Sequence, residues 1–394
     1  MALTTSRKAV DFITLHAHPE ALSNEHPANN EWLKVEALPG KGRGFVARRH
    51  IPAGTVVYTA HPLAVAVSQE WIPETCAWCF AFSYPKRMRV KSTHTKDVMF
   101  CSPECQTCFY QQGYKDEADL LVRGYHALDH VKEPMASSTA ASDPLVDIIP
   151  PPPSKDCSDT QLAAWLDEAW STVAAAPSDM NAMWAPDRGE RTMCRLITAC
   201  LARKRCQEDC LFSSTPDMIG FEQLWEMQCN ELACVRAMLQ TQQQEVPTQL
   251  IEIMHLYLYL SSAVAGILDC PHALFRAIYF REAANSFGLW EMPHGNQQAQ
   301  MMDQGVTDDQ ELLGWGIYPS AVYFNHACNA NIVKIRDGRS MRFIAKTDIP
   351  LGQEACISYG SVGEAVDERR ARLLEHYHFW CECIRCKTES SSSS

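Results

Sequence analysis

The chain has 394 residues, of which 46% are hydrophobic, and it carries a formal net charge of −12 at pH 7. This length and hydrophobic content are enough to fill at least one substantial core, which excludes a disordered chain. An acidic surface repels phosphates and attracts lysine-rich polypeptide, so we expect a protein partner and no direct nucleic acid binding.

The first thirty residues contain no long apolar run and no small-residue cleavage site. We therefore read residues 1–30 as an N-terminal extension without a secretory signal and expect a reducing compartment, the nucleus and/or the cytoplasm. In such a compartment the 18 cysteines indicate metal ligands or buried thiols rather than disulfides. The longest apolar stretch, Leu250 to Leu268, includes Glu252 and His255, which favours a buried helix over a membrane span.

Both ends of the chain are rich in predicted strands. Near the start, strand-like residues flank the turn Ile51-Pro52-Ala53-Gly54, and the same kind of turn recurs at Ile349-Pro350-Leu351-Gly352. Before the second turn, residues of alternating polarity surround Asp337-Gly338, a strong hairpin signal. We therefore predict β-structure at both ends.

The middle of the chain follows a helical pattern. Residues 131–160 include four consecutive prolines, 150–153, and predict a surface loop or linker. From about 161 to 284 the apolar spacing becomes helical. The sequence thus predicts a helical block between two β-rich halves, followed by a low-complexity, disordered tail at 390–394.

One group of cysteines lies near residue 100. The pairs Cys76-x2-Cys79 and Cys101-x3-Cys105 have the spacing of a single zinc site with four thiolate ligands. A redox pair at Cys76 and Cys79 is the alternative, but the flanking residues lack the strand, turn and helix that such a pair requires.

A second group lies near the C-terminus. Cys381-x-Cys383-x2-Cys386 supplies three zinc ligands at close range, and a structural zinc needs a fourth, for which Cys328 is the best candidate. Three buried thiols are the alternative. Four further cysteines, at 194, 200, 206 and 210, lie in a helical stretch and are interpreted mainly as core thiols.

Five segments, in this order, resemble the SET-domain lysine methyltransferases, and specifically the branch in which a MYND zinc finger interrupts the SET domain. They are Gly40-Lys41-Gly42-Arg43-Gly44; Asn285-Ser286-Phe287; Gly316-Ile317-Tyr318-Pro319 with Asn325 to Asn331; Ile357-Ser358-Tyr359-Gly360; and Glu368 to the last cysteine cluster. The resemblance is to a short form without the C-terminal helical-repeat domain.

The resemblance implies an α+β fold: a β-rich SET fold split by a small zinc finger and a helical insert, with a zinc-binding post-SET tail. It implies the following division of the chain: 31–70, first SET part; 71–112, MYND-like one-zinc finger; 113–269, linker and helical insert; 270–360, SET core; 361–389, post-SET zinc tail; 390–394, disordered tail.

The resemblance also implies the chemistry, which is methyl transfer from S-adenosylmethionine to a lysine of a histone or another protein. Tyr359, Tyr377 and Phe379 would be catalytic, with the last two walling the lysine channel. The residues expected around the cofactor are Lys41, Arg43, Asn285, Asn325, His326 and Phe379. Two zinc ions would be bound, one by Cys76, Cys79, Cys101 and Cys105, and one by Cys328, Cys381, Cys383 and Cys386. We expect a monomer whose finger can bind a protein partner.

The sequence departs from the family pattern in two places. Ala330 stands where the family usually has proline, and the finger lacks two of its four usual ligand pairs. A SET fold that recruits partners without turnover is therefore the main alternative. A zinc hydrolase is disfavoured because it needs an open metal position, which the two cysteine sites do not leave.

Overall fold

A computed structural model describes residues 26, 28–131, 143–177, 184–209, 219–241, 245–292 and 310–392. Within them helices and strands are both abundant, in agreement with the predicted α+β class. The strands are β1 (Leu33–Leu38), β2 (Gly42–Ala47), β3 (Val56–Ala60), β4 (Ala64–Val67), β5 (Val90–Lys91), β6 (Met99–Phe100), β7 (Ser286–Trp290), β8 (Leu312–Ile317), β9 (Asn325–His326), β10 (Ile332–Asp337), β11 (Ser340–Ala345) and β12 (Cys356–Ile357).

Most of the helices lie between β6 and β7, as the helical spacing of the middle segment predicts. They are α1 (Pro103–Gln111), α2 (Glu117–Asp129), α3 (Pro144–Ile148), α4 (Asp159–Ala174), α5 (Arg188–Asp209), α6 (Glu231–Thr241), α7 (Thr248–Ala263), α8 (His272–Asn285), α9 (Val366–Tyr377) and α10 (Ile384–Ser392). Short 3₁₀ segments occur at Gln69–Trp71, Phe221–Glu226 and Pro319–Ala321. None of the described helices has both the length and the apolar character needed to cross a bilayer.

The helical block is an insertion within one sheet. Strands β4 and β7, which precede and follow the block in sequence, both pair antiparallel with β8 in the order β4-β8-β7. Gly314 in β8 permits this close pairing, because a Cβ there would lie 2.2 Å from the carbonyl oxygen of Ala66. The chain therefore leaves the sheet and returns to it on the other side of a single strand.

The predicted hairpin around Asp337-Gly338 is confirmed. Strands β10 and β11 pair antiparallel, with Asp337 opposite Ser340, and β11 continues the sheet to β3. In sequence, this hairpin lies between β9 and β12, and these two strands pair with each other in parallel. This arrangement places the asparagine-histidine motif beside the residues that precede Tyr359.

Three clusters of buried side chains hold the fold together. One packs the finger against the helical block and includes Cys76, Phe109 and Trp170. A second, around Phe45 and Phe324, fills the β-rich part. The third is small and consists of Cys328, Leu373, Cys381 and Cys386, at the junction of the β-rich part with the tail.

Two sequence predictions need correction. Part of the predicted loop 131–160 is helical, because Asp143 caps α3 by accepting from the N–H of Leu145, with a proline in the first turn. The proline run 150–153 does lack regular structure, and residues 132–142 lie outside the described residues. The tail predicted as disordered at 390–394 is helical through Ser392, since α10 extends that far, and 393–394 lie outside the described residues.

Candidate active site

The parallel pair of β9 and β12 brings His326 against Tyr359. Ile357 lies opposite His326 in the pair, and the backbone N–H of Tyr359 donates to His326 Nδ1 at 3.1 Å. Because Nδ1 accepts, the neutral ring carries its proton on Nε2, which lies 3.3 Å from the Sγ of Cys328. Burial lowers the pKa of His326 to about 4, so the ring is neutral at pH 7.

Three aromatic residues predicted to be catalytic lie together. The ring centroid of Tyr359 is 4.8 Å from that of Tyr377 and 6.2 Å from that of Phe379. The Tyr359 hydroxyl donates to the carbonyl of Phe324 at 3.1 Å, and the Tyr377 hydroxyl donates to the carbonyl of Tyr359 at 3.2 Å. Burial raises the pKa of both tyrosines, so both hydroxyls stay protonated at neutral pH.

A cavity of about 140 Å³ opens beside these rings. Its wall is mainly apolar and aromatic, with Phe287 on β7 among the lining residues. Asn285, which we predicted to contact the cofactor, lines the same cavity as Tyr359 and Tyr377. We call this space the acceptor cavity; Lys334 on β10 also lines it.

The glycine-rich turn and the asparagine of the motif also meet. Asn325 Nδ2 donates to the carbonyl of Arg43 at 3.2 Å and to Glu354 Oε1 at 2.9 Å. Gly44 makes room for this contact, because a Cβ there would lie 2.5 Å from Asn325 Nδ2. Lys41 pairs with the other oxygen of Glu354 at 2.5 Å. The carboxylate of Glu354 thus links Lys41 to Asn325, two residues that lie far apart in sequence.

The side chains of Arg43 and Asn285 already have protein partners. Arg43 bonds the carboxylate of Glu226 at 2.8 Å and its backbone carbonyl at 2.9 Å. The amide of Asn285 donates to the carbonyls of Gln228 and Arg281 at 3.2 and 2.7 Å. A ligand carboxylate that approaches Arg43 therefore has to compete with Glu226.

The four cysteines predicted to share a zinc in the tail lie together. The sulfur atoms of Cys328, Cys381, Cys383 and Cys386 all lie within 4.8 Å of one another. Cys328 is 3.9 Å from Cys381 and 3.5 Å from Cys386, close to the roughly 3.8 Å edge of a tetrahedron with Zn–S bonds of about 2.3 Å. The donor set and its spacing fit a structural zinc ion.

The finger cysteines form a second quartet of the same kind. Cys76, Cys79, Cys101 and Cys105 also lie within 4.8 Å of one another, with Cys79 3.7 Å from Cys101 and Cys101 3.4 Å from Cys105. Cys108 is exposed and belongs to neither quartet. Cys194, Cys200 and Cys206 are buried in α5, as predicted for core thiols, whereas Cys210 lies outside the described residues.

Sequence reasoning missed three residues that shape the site. Asn331 fixes the segment before β12, because its amide bonds the carbonyl of Glu354 and the N–H of Cys356. It lies within the asparagine-histidine motif, so the motif itself was the available signal. Glu226 comes from the helical insert and had no local signal. Lys334 lies two residues after the buried Ile332, and side chains two residues apart share one face of a strand. This spacing was the signal that predicts an inward-facing Lys334.

Comparison with known proteins gives matches over most of the chain. The SET domain family model matches residues 42–360. The chain is 27% identical over 403 residues to a Saccharomyces cerevisiae protein named potential protein lysine methyltransferase SET6, a match that covers 92% of this chain and 96% of the relative. It is 24% identical over 379 residues to histone-lysine N-methyltransferase ASHR2 of Arabidopsis thaliana, a match that covers 92% of this chain and 73% of the relative. A shorter match, to a SET and MYND domain-containing protein of Dictyostelium discoideum, is 31% identical over 117 residues and covers 30% of this chain and 26% of the relative.

Proposed function

We infer that this chain, which belongs to the SET-domain family, is an S-adenosylmethionine-dependent protein lysine N-methyltransferase. The observation that carries the inference is the acceptor cavity, where Tyr359 and Tyr377 share a wall with Asn285. The domain match and the long alignments to proteins named as lysine methyltransferases support the same activity.

The residues present fit S-adenosylmethionine. Asn285, Tyr359 and Tyr377 line one cavity, and the half-buried Phe379 offers an aromatic face 6.1 Å from the ring of His326. When bound, S-adenosylmethionine supplies a methyl group on a positively charged sulfur, which leaves as a neutral thioether. Lys41 and Arg43 are the cations that would hold a carboxylate, although each is paired with an acidic residue in this structure.

The acceptor side of the site orients an amine rather than supplying a base. The Tyr359 hydroxyl donates to Phe324, so its oxygen lone pairs remain suited to accept an N–H of the incoming amine. The raised pKa of both tyrosines keeps them neutral, and most of the residues that line the cavity are apolar or aromatic. Desolvation disfavours the ammonium form, which helps the lysine to reach the neutral state that can attack a methyl carbon.

We propose that each cysteine quartet binds one structural zinc ion. Four thiolates saturate a tetrahedral zinc and leave no position for water, so the metal would fasten the chain rather than activate a nucleophile. The quartet at Cys328 would hold the tail, and with it Tyr377 and Phe379, against the motif strand. The quartet at Cys76 would hold the finger.

The acceptor, we propose, is a lysine in a histone or in another protein of the nucleus and/or cytoplasm. The net charge of −12 supports a basic polypeptide as substrate. We further propose that the finger binds a protein partner and that the chain acts as a monomer. Finger variants that keep methyl transfer but lose a partner would support this division of roles.

The activity is tested with the purified full chain, tritiated S-adenosylmethionine and two acceptor sources, mixed core histones and a whole-cell extract. We expect cofactor binding and label on lysine, both measured beside Tyr359→Phe as the matched variant. Binding of cofactor without transfer to either source would favour a protein that recruits partners without turnover. Absence of cofactor binding would reject the enzyme assignment.

A further inference from the structure

The finger carries a concentration of positive charge on an otherwise acidic chain. Residues 84–96 contain five lysines or arginines and no aspartate or glutamate, whereas the whole chain has a net charge of −12. The five exposed cations are Lys86, Arg87, Arg89, Lys91 and Lys96. In the described part of the chain, only Arg87 among them comes within ion-pair distance of a carboxylate, that of Glu74 at 3.9 Å, and 78% of its side chain stays exposed.

Three of these cations form a small patch. Around strand β5 the buried Met88 and Ser92 and the half-buried Val90 alternate with the exposed Arg89 and Lys91, so the apolar side chains hold the segment while the cations face solvent. A chain of four residue steps spans at most about 14 Å, which limits the separation of residues 87 and 91. We call Arg87, Arg89 and Lys91 the basic patch.

An exposed aromatic group lies close to the basic patch in sequence. Tyr84 is 64% exposed, and its ring stacks on that of Phe82 with centroids 6.3 Å apart. Trp71 meets both rings edge-on, at 5.2 Å from Phe82 and 5.7 Å from Tyr84. Since the two neighbouring rings support it, Tyr84 offers an apolar contact that is already in place before a partner arrives.

The size of the basic patch favours an acidic polypeptide over nucleic acid. Salt limits the reach of exposed charges to about 8 Å at physiological ionic strength, so the patch attracts anions only locally. Duplex DNA carries a charge about every 1.7 Å of its axis and continues past so short a patch onto the acidic remainder of the chain. An acidic segment of four or five residues covers the same length and can end there.

We propose that the basic patch and Tyr84 bind an acidic segment of a partner protein, with an apolar residue beside its acidic residues. This inference rests on the proposed role of the finger in partner binding and names the chemistry of that partner. None of these residues lines the acceptor cavity, so partner binding and methyl transfer use separate surfaces.

The test measures binding of the purified full chain to a fluorescein-labelled peptide by fluorescence polarisation. The peptide has four glutamates alternating with serines between two phenylalanines, and a second peptide has glutamine in place of each glutamate. Exposed ion pairs change affinity by about 1.4–5-fold each, so several together should make the glutamate peptide bind at least tenfold more tightly. Added salt should reduce this difference, because the pairs are exposed.

Two matched variants distinguish the basic patch from net charge. The patch variant combines Arg87→Glu, Arg89→Glu and Lys91→Glu. The control variant makes the same change in net charge at exposed positions outside the finger, with Lys155→Glu, Arg188→Glu and Lys346→Glu. We expect the patch variant to bind the glutamate peptide at least tenfold more weakly than wild type, and the control variant to lose less than threefold. Both should keep two zinc ions; if the patch variant loses one, the pair Arg89→Gln and Lys91→Gln replaces it.

A third variant tests the aromatic contact. Tyr84→Ser removes the exposed ring and should weaken binding of the glutamate peptide severalfold. The same substitution should leave unchanged the binding of a peptide in which alanine replaces both phenylalanines. Equal effects on the two peptides would remove Tyr84 from the binding surface.

Several outcomes overturn the proposal. Equal binding by wild type and the patch variant rejects it, as does equal loss in the control variant, since net charge would then explain the binding. Tighter binding of a twelve-nucleotide single-stranded DNA than of the glutamate peptide, lost in the patch variant, assigns the surface to nucleic acid instead. Methyl transfer is measured on the same samples. Absence of transfer with intact peptide binding rejects the proposed enzyme activity alone, whereas transfer without peptide binding rejects this inference alone.

Discussion

Replacing Cys328 tests whether one metal site closes the active site. Cys328 is the one ligand of its quartet that belongs to the β-rich part, while Cys381, Cys383 and Cys386 belong to the tail. Serine has nearly the same size but is a poor zinc ligand. We expect Cys328→Ser to lose one of two zinc ions and to detach the tail.

The expected size of this effect comes from what holds the tail. Ordering the nine residues of α10 alone costs about 9–18 kcal/mol at roughly 1–2 kcal/mol per residue. Bonds such as Arg370 to the carbonyl of Cys381 contribute only about 0.5–1.5 kcal/mol each. A structural zinc contributes about 10–16 kcal/mol, which is of the same order as the ordering cost. Without the metal, the tail therefore loses the interaction that keeps it folded against the motif.

Detachment of the tail opens the site directly. Tyr377 and Phe379 lie 4.8 and 6.2 Å from the Tyr359 ring and belong to the segment that the metal fastens. We expect methyl transfer to fall at least a hundredfold and cofactor affinity to fall with it, measured by transfer of labelled methyl, by calorimetry and by metal analysis.

Two matched variants and one decisive result complete the test. Cys108→Ser removes an exposed cysteine outside both quartets and should keep two zinc ions and full activity. Cys76→Ser should lose the finger zinc and some stability while cofactor binding remains measurable. If Cys328→Ser retains two zinc ions and wild-type turnover, the four cysteines do not share a metal.

Other predictions concern the remaining groups. Tyr359→Phe should lower kcat by roughly a hundredfold, about 3 kcal/mol in the barrier, with little change in cofactor affinity, since only a hydroxyl is lost; an unchanged rate removes this hydroxyl from the mechanism. Metal analysis of the purified protein should give two zinc ions per chain, and any other count contradicts the two quartets. Burial raises the pKa of Glu282 from 4.5 to about 7, so the folded protein binds an extra proton between these values and stability should fall by about 3 kcal/mol as pH rises through them. Urea unfolding at pH 5 and pH 8 should show that Glu282→Gln loses this dependence, and an equal dependence in both proteins would refute it.

The parts of the fold that follow from local sequence were predictable. The hairpin at Asp337-Gly338 needs only a two-residue turn between alternating residues. The finger quartet and three ligands of the tail quartet follow from ligand spacing, and Cys328 follows from the need of a structural zinc for a fourth ligand. Helix α3 was missed although its signal, Asp143 followed by proline, was present, because the proline-rich composition of the region suggested a loop.

The parts that depend on distant contacts were not predictable. Glu226 reaches Arg43 across 183 residues, and no pattern near either residue indicates that pair. The strand periodicity places Lys334 on the same face as Ile332, but only the packing of Phe287 and Tyr359 shows that this face borders a cavity. Pairings at such separations depend on how the sheets are assembled, which local propensity does not encode.

Two consecutive residues of β9 connect the two ends of the described chain. Alternation along a strand points neighbouring side chains to opposite sides, so Asn325 contacts Arg43 and Glu354 while His326 faces Tyr359 and Phe379. The glycine-rich turn near the start and the tail near the end therefore join the site through opposite faces of one short strand. Loss of either end would therefore remove partners of one of these two side chains.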